Sequence, residues 1–182
     1  MKKNRKLLFI TQGAVIAALY VVLTLLSGPL ASYSPQVRFS EALCVLAAFT
    51  PVAIPGLTIG CALANLLTDA SIWDIIFGSA ATLVGAVGTY FLRKIALKGP
   101  FGFVAAVPPI VANTLIIPFV LSYALGVEGT ISVLMFWVWL GEMISCGVIG
   151  TVLFYVLKRY RDKLGFKEPK REPQEPKKAK EE

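Results

Sequence analysis

The chain has 182 residues, of which 56% are hydrophobic and 16% charged; its mean hydropathy is +0.70 and its net charge +7. Soluble domains carry about 45–50% apolar and about 25% charged residues, so this composition excludes a soluble globular protein. Between Leu7 and Leu157 the charged residues are Arg38, Glu41, Asp69, Asp74, Arg93, Lys94, Lys98, Glu128 and Glu142. The apolar runs between them suit helices that cross a bilayer, which need roughly 20 apolar residues each. The alternating segments of a membrane barrel are absent. The positive charge is therefore read as membrane orientation, not nucleic-acid binding.

In chain order, the first span is 7–27. It is too long for the apolar core of a cleaved signal and is read as a membrane helix. Ala14 and Ala18 lie four apart on one of its faces, a spacing that lets another helix approach closely. Spacing alone fits packing inside the same protein. Gly28-Pro29-Leu30-Ala31-Ser32-Tyr33-Ser34-Pro35 is a loop by composition, long enough to act as a lid. The apolar stretch from Phe39 to Thr68 is broken at Pro51, Pro55 and Gly56. As one helix it would run about 45 Å, well beyond the hydrocarbon core, so two spans are expected, 39–54 and 55–70. Three further spans follow at 75–92, 101–125 and 130–157. These six form one membrane domain over 1–164. Residues 165–182, rich in Lys, Glu and Pro, cannot bury enough surface to fold and are expected to be a disordered tail.

Six spans place the N-terminal cluster, Arg93–Lys98 and the C-terminal cluster on one side, the cytoplasm, with both chain ends there. Arg38 is then the one basic residue on the outer side. A single span over Phe39–Thr68 would put Arg93–Lys98 outside, against that rule.

Ionisable groups at membrane depth are costly and point to function. On this topology Gln36, Arg38 and Glu41 sit at the outer end of span two. Asn65 and Asp69 share one face of span three, with Trp73 and Asp74 beside them. Asn113 lies within span five, and Trp139 and Glu142 are neighbours on span six. The polar residues thus converge on the outer half of the bundle, as in a cup open to the outside. Other readings stay open: Arg38 pairing locally with Glu41, and Asn65 and Asn113 tying helices together. Cys44, Cys61 and Cys146 lie in apolar segments, with no CxxC and no histidine. No metal site, cofactor or disulfide framework is expected.

Val37-Arg38-Phe39-Ser40-Glu41-Ala42-Leu43, with Phe49-Thr50-Pro51-Val52-Ala53-Ile54-Pro55-Gly56-Leu57-Thr58-Ile59-Gly60-Cys61 and Leu63-Ala64-Asn65-Leu66, resembles the QueT family. These are queuosine-precursor transporters, substrate-binding S-components of energy-coupling factor (ECF) transporters. The resemblance runs from about Leu7 to Leu157. It implies an S-component-like bundle in a prokaryotic plasma membrane. It also implies a 7-deazapurine ligand (queuine or a pre-queuosine base) and partnership with a transmembrane coupling subunit and two ATPases. The Ala14/Ala18 face becomes the expected docking face for the coupling subunit. The sequence has no GxxxxGK[ST] phosphate loop and hence no P-loop ATP site of its own.

A guanine-type edge suits a carboxylate such as Glu142, Glu41 or Asp69. Its carbonyl suits Arg38, Gln36 or an Asn, and its ring suits Trp139, Trp137 or Trp73. An S-component for another vitamin, cationic or aromatic, fits the same residues. An intramembrane hydrolase lacks a histidine or a membrane-embedded Ser/Lys pair. A purely structural subunit leaves the polar cup unexplained. No catalytic residues are expected.

Overall fold

The computed structural model describes residues 2–28, 37–68 and 70–161. Helix α1 is Lys2–Ser27. A 3-10 helix, Phe39–Ala48, leads to α2 at Ala53–Leu67 and α3 at Ile72–Lys98. A 3-10 turn, Gly102–Ala105, opens α4 at Val107–Phe119, which ends in a π turn at Val120–Ala124. Helix α5, Ile131–Glu142, runs on through a π-helix at Met143–Gly150 into α6, Thr151–Tyr160.

Among the described residues four helical segments are long and apolar enough to cross a bilayer: Lys6–Ser27, Ile72–Lys98, Gly102–Ala124 and Ile131–Tyr160. The chain is a multi-pass membrane protein, but the expected six spans are not present. The stretch expected to cross twice, as 39–54 and 55–70, forms a 10-residue 3-10 helix and a 15-residue α-helix. These reach about 20 Å and about 22 Å, short of a hydrocarbon core about 30 Å thick.

Contacts trace the path of this pair. Ser27 Oγ, at the end of α1, accepts from Phe39 N at 3.0 Å, and Thr24 Oγ1 donates to Ser40 Oγ at 2.8 Å. The 3-10 helix therefore starts beside the last turn of α1 and descends along it. The chain turns at Phe49–Val52, where Val52 lies against Gly13. Helix α2 then climbs parallel to α1: a methyl added at Gly56 would meet the Gly13 carbonyl oxygen at 2.9 Å, and one at Gly60 would meet Tyr20 and Ala17. The pair is a hairpin that enters and leaves on one face. Pro55 and Gly56, read from the sequence as breaks in the apolar stretch, lie inside the first turn of α2, where a proline gives up an N–H that has no helical partner anyway.

A returning hairpin satisfies the charge rule as well as two spans do. Both leave an even number of crossings between the ends, so Arg93, Lys94 and Lys98 stay on the face of Arg159 and Arg161. Lys158 Nζ donates to Gly99 O at 2.8 Å and Tyr155 Oη to Pro100 O at 2.6 Å, which ties the ends of α3 and α6 together.

Close approach is built from small residues, because lipid offers no hydrophobic drive for helix pairing. Gly13 and Ala17 meet Gly56 and Gly60 across α1 and α2. Gly85 and Gly88 of α3 sit against Pro109 and Pro108 of α4, and Thr89 Oγ1 donates to Ala105 O at 2.7 Å. Ala14 and Ala18 face away from the bundle and are exposed, so they take no part in this internal packing. The expected loop over 29–35, together with Gln36, Asp69 and the tail 165–182, lies outside the described residues.

Candidate functional site

Four of the sequence-predicted residues come together: Arg38, Glu41, Asn113 and Glu142 line one cavity with Gly78, Ile117 and Val138. Arg38 caps the 3-10 helix and is partly buried. Glu41 is one turn further on and is buried. Asn113 lies on α4 upstream of Pro118, which lacks the N–H that would close the ladder onto Thr114; the helix loosens into its π turn just beyond. Glu142 ends α5 where the backbone changes to π geometry, a change often found at functional sites.

The carboxyl groups differ in how they are satisfied. Glu41 accepts from the Tyr20 hydroxyl at Oε1 and at Oε2 from Cys44 Sγ at 3.3 Å and Asn113 Nδ2 at 3.5 Å. Glu142 Oε1 accepts from Asn113 Nδ2 at 2.9 Å, while its Oε2 is buried with no hydrogen-bond partner. Glu142 as a whole is only 6% exposed. Arg38 Nε is likewise buried without a partner. The local pair of Arg38 with Glu41 that the sequence left open does not form as a hydrogen bond; the partners of Glu41 are Tyr20, Cys44 and Asn113. Orphaned buried polar atoms of this kind are uncommon and call for an explanation.

The cavity holds about 320 Å³ of empty space with its open mouth included. Its free interior is narrow and takes a water-sized body, nothing larger. Arg38 marks the end nearer Ser27 of α1, and Glu142 lies deeper. The Arg38 end of the cavity thus lies toward the side opposite the N-terminal basic cluster.

Other predicted residues fall elsewhere. Asn65 is buried, but its Nδ2 donates to Asp74 O at 3.0 Å; it fastens the link between α2 and α3 and does not line the cavity. Trp73 is 48% exposed and stacks on Phe77, and Trp139 is 41% exposed against Phe136. Both face outward, as does Trp137, so no tryptophan supplies a ring platform inside. Tyr20 was not singled out in the sequence: a phenol in an apolar helix is ordinary there. The available signal was its place on the face of α1 that carries Gly13, Ile16 and Ala17.

One oxygen each of Glu41 and Glu142 and the Cys146 sulfur lie within 4.8 Å of one another. Cys146 Sγ donates to Glu41 O at 3.1 Å, and both oxygens of Glu41 already accept hydrogen bonds. A metal would have to displace these donors and combine a thiolate with hard carboxylates, so the group is better described as a hydrogen-bonded cluster.

The model of a family described as QueT transporter matches residues 10–159. Over 86 residues the chain is 43% identical to the queuosine precursor transporter QueT of Lactococcus lactis subsp. cremoris (strain MG1363). The alignment takes in 46% of this chain and 50% of that relative, so the chain spans about half the length of the curated relative it matches. No solved structure matches the chain.

Proposed function

We propose, from the premise that the chain belongs to the QueT transporter family, that it captures a queuosine precursor, queuine or a pre-queuosine 7-deazaguanine base, as the S-component of an ECF transporter. The observation that carries this reading is the buried cavity of Arg38, Glu41, Asn113 and Glu142. Its unpartnered polar atoms, Glu142 Oε2 and Arg38 Nε, are an acceptor and a donor of the kinds that a deazaguanine's N–H groups and carbonyl would meet. Arg38, at one end of the cavity, lies near the end of α1 opposite the N-terminal basic cluster, which supports access from the outer side under the charge rule.

Energy comes from partners in this reading. The sequence has no P-loop motif, and the coupling subunit would dock on the exposed Ala14/Ala18 face of α1, where small residues allow close helix approach. Catalytic chemistry has no role: the carboxylates bind cargo.

Two experiments test it. Purified protein should bind labelled queuine and pre-queuosine bases with thiamine, riboflavin and biotin failing to compete; no binding of any deazapurine at micromolar concentration defeats the cargo assignment. The double variant Ala14→Leu/Ala18→Leu should keep cargo binding and lose copurification with the coupling subunit. Undiminished copurification means that α1 is not the docking face.

A further inference from the structure

We infer that the basic ends of α3 and α6 together form a site for an anionic phospholipid: exposed Lys94, Lys98 and Arg159 hold its phosphate, and its acyl chains lie along the bare apolar stripes beside them. The site lies away from the cavity and does not depend on the cargo. Three observations carry it.

The first is depth. Arg93, Lys94 and Lys98 lie in the last two turns of α3, and Lys158 and Arg159 in the last turn of α6. Helix α3 has 27 residues and runs about 40 Å at 1.5 Å per residue. That exceeds a hydrocarbon core about 30 Å thick, so its charged ends stand at the level of the headgroups. By the charge rule the basic end is cytoplasmic, the side on which anionic lipids give the membrane a negative surface potential.

The second is that the two ends make one surface. Lys158 Nζ donates to Gly99 O at 2.8 Å, and Tyr155 Oη donates to Pro100 O at 2.6 Å and accepts from Gly102 N at 3.2 Å. These bonds clamp the end of α6 onto the loop that follows Lys98. Arg93 lies over the Tyr90 ring, its Cζ 3.9 Å from the centroid, which steadies a long side chain at the rim. Lys94, Lys98 and Arg159 are exposed and make no hydrogen bond or ion pair among the described residues. None of the described acids lies at this end: Glu41 and Glu142 line the cavity, Asp74 opens α3, and Glu128 precedes α5. Asp162, next in sequence to Arg161, lies outside the described residues.

The third is what stands beside the cations. Phe91, Ile95 and Lys98 are spaced i, i+4 and i+7 and so share a face of α3; Val152, Val156 and Arg159 repeat the spacing on α6. The four apolar members are exposed, Phe91 to 75%, and Phe101 and Tyr155 are exposed at the join. A phospholipid carries its phosphate and its apolar chains on one molecule and covers both parts of each stripe. A free phosphate would meet the cations and leave the stripes bare. Basic pockets between helices on the cytoplasmic side bind anionic headgroups on the same physical grounds.

The test is native mass spectrometry of the full chain released from mixed micelles of phosphatidylglycerol and phosphatidylcholine, titrated to give an affinity for each lipid. The parent protein should retain phosphatidylglycerol in preference. Each Lys or Arg near an anionic surface is worth about fivefold in affinity, so Lys98→Gln/Arg159→Gln should weaken phosphatidylglycerol binding about 25-fold. The charge-keeping Lys98→Arg/Arg159→Lys should restore it, which separates lost charge from lost fold. Lys2→Gln/Lys3→Gln removes the same charge from the same side of the membrane but not from this surface, and should leave binding nearly unchanged. An equal loss in that control would show diffuse attraction in place of a site and overturn the proposal. Equal retention of the two lipids by the parent protein would overturn it too, as would release of phosphatidylglycerol by millimolar inorganic phosphate, the mark of a soluble-anion site.

Discussion

The contact between α1 and α2 makes a paired prediction, because two glycines on it face opposite steric outcomes. At Gly60 a methyl group would lie 2.8 Å from Tyr20 Cβ and 3.0 Å from both Cα and the carbonyl oxygen of Ala17. Carbon atoms rest at about 3.5–4.0 Å, so Gly60→Ala drives the helices apart by roughly 0.5–1 Å, and the atoms it meets are backbone or fixed to it. Overpacking of this kind costs about 1–3 kcal/mol, offset by about 0.5–1 kcal/mol of helix preference for Ala over Gly. The net runs from near zero to a loss of about 2.5 kcal/mol. At Gly13 the added methyl meets only Val52 Cγ1, at 3.6 Å, an ordinary contact; Gly13→Ala should gain about 0.5–1 kcal/mol. The separation at Gly60 also moves Tyr20, whose hydroxyl holds Glu41, so ligand affinity should fall in Gly60→Ala and not in Gly13→Ala. Thermal unfolding in detergent, followed by tryptophan fluorescence, gives the stabilities, and titration calorimetry the affinities. Equal stability shifts in the two variants, or a stabilised Gly60→Ala, would show that the hairpin does not pack on α1 as described.

Tyr20→Phe keeps the ring that fills the core and removes the donor from Glu41 Oε1; it should cost about 1–3 kcal/mol in unfolding experiments, and an unchanged stability would mean that the phenol is not needed there. Trp73→Ala and Trp139→Ala should each leave the Kd for queuine within about twofold, as expected for exposed side chains away from the cavity; a tenfold loss in either would return the tryptophans to the site.

Hydropathy and charge made the first, fourth, fifth and sixth expected spans legible, because a run of apolar residues long enough to cross the bilayer carries its own signature. They could not separate a pair of spans from a returning hairpin. Both are apolar throughout, both are broken at Thr50–Gly56, and both conserve the side on which Arg93–Lys98 falls. What distinguishes them is the length of each arm, 10 and 15 residues, and the residue pattern does not announce where each arm ends within an apolar run. The polar cluster was legible in part for a related reason. Glu41, Asn113 and Glu142 stand out because a carboxylate or amide at membrane depth is expensive. The tryptophans misled because every face of these helices is apolar, so the side on which a large ring lies cannot be read from its neighbours; Trp73 and Trp139 lie on the outer surface, where such rings commonly anchor a membrane protein. Asn65 is a polar group of the same type as Asn113, and only the position of the Asp74 carbonyl tells a helix fastener from a cavity wall.

Three of the four polar residues that line the cavity sit at irregular backbone, while Asn113 lies on α4. Arg38 caps the 3-10 helix and Glu41 lies in it, Glu142 ends α5 at the α-to-π junction, and Cys146, bonded to the Glu41 carbonyl, lies on the π-helix that follows. Irregular backbone at membrane depth is tolerated only where protein covers it or it lines a cavity, and the 3-10 helix meets that condition: eight of its ten residues are buried. Its hold on the C-terminal helix is polar as well as steric, through Cys146 Sγ on Glu41 O and Asn113 Nδ2 shared between Glu41 and Glu142. The hairpin is also held by apolar packing: Leu43, Cys44 and Ala47 with Ile16, Tyr20 and Leu57, and Val45 and Ala48 with Ala96, Ala105 and Phe154. The carboxylate that the hairpin brings to the cavity is thus fixed from α1, α3 and α6 together, which is how a segment too short to span the bilayer can still hold a polar group in place.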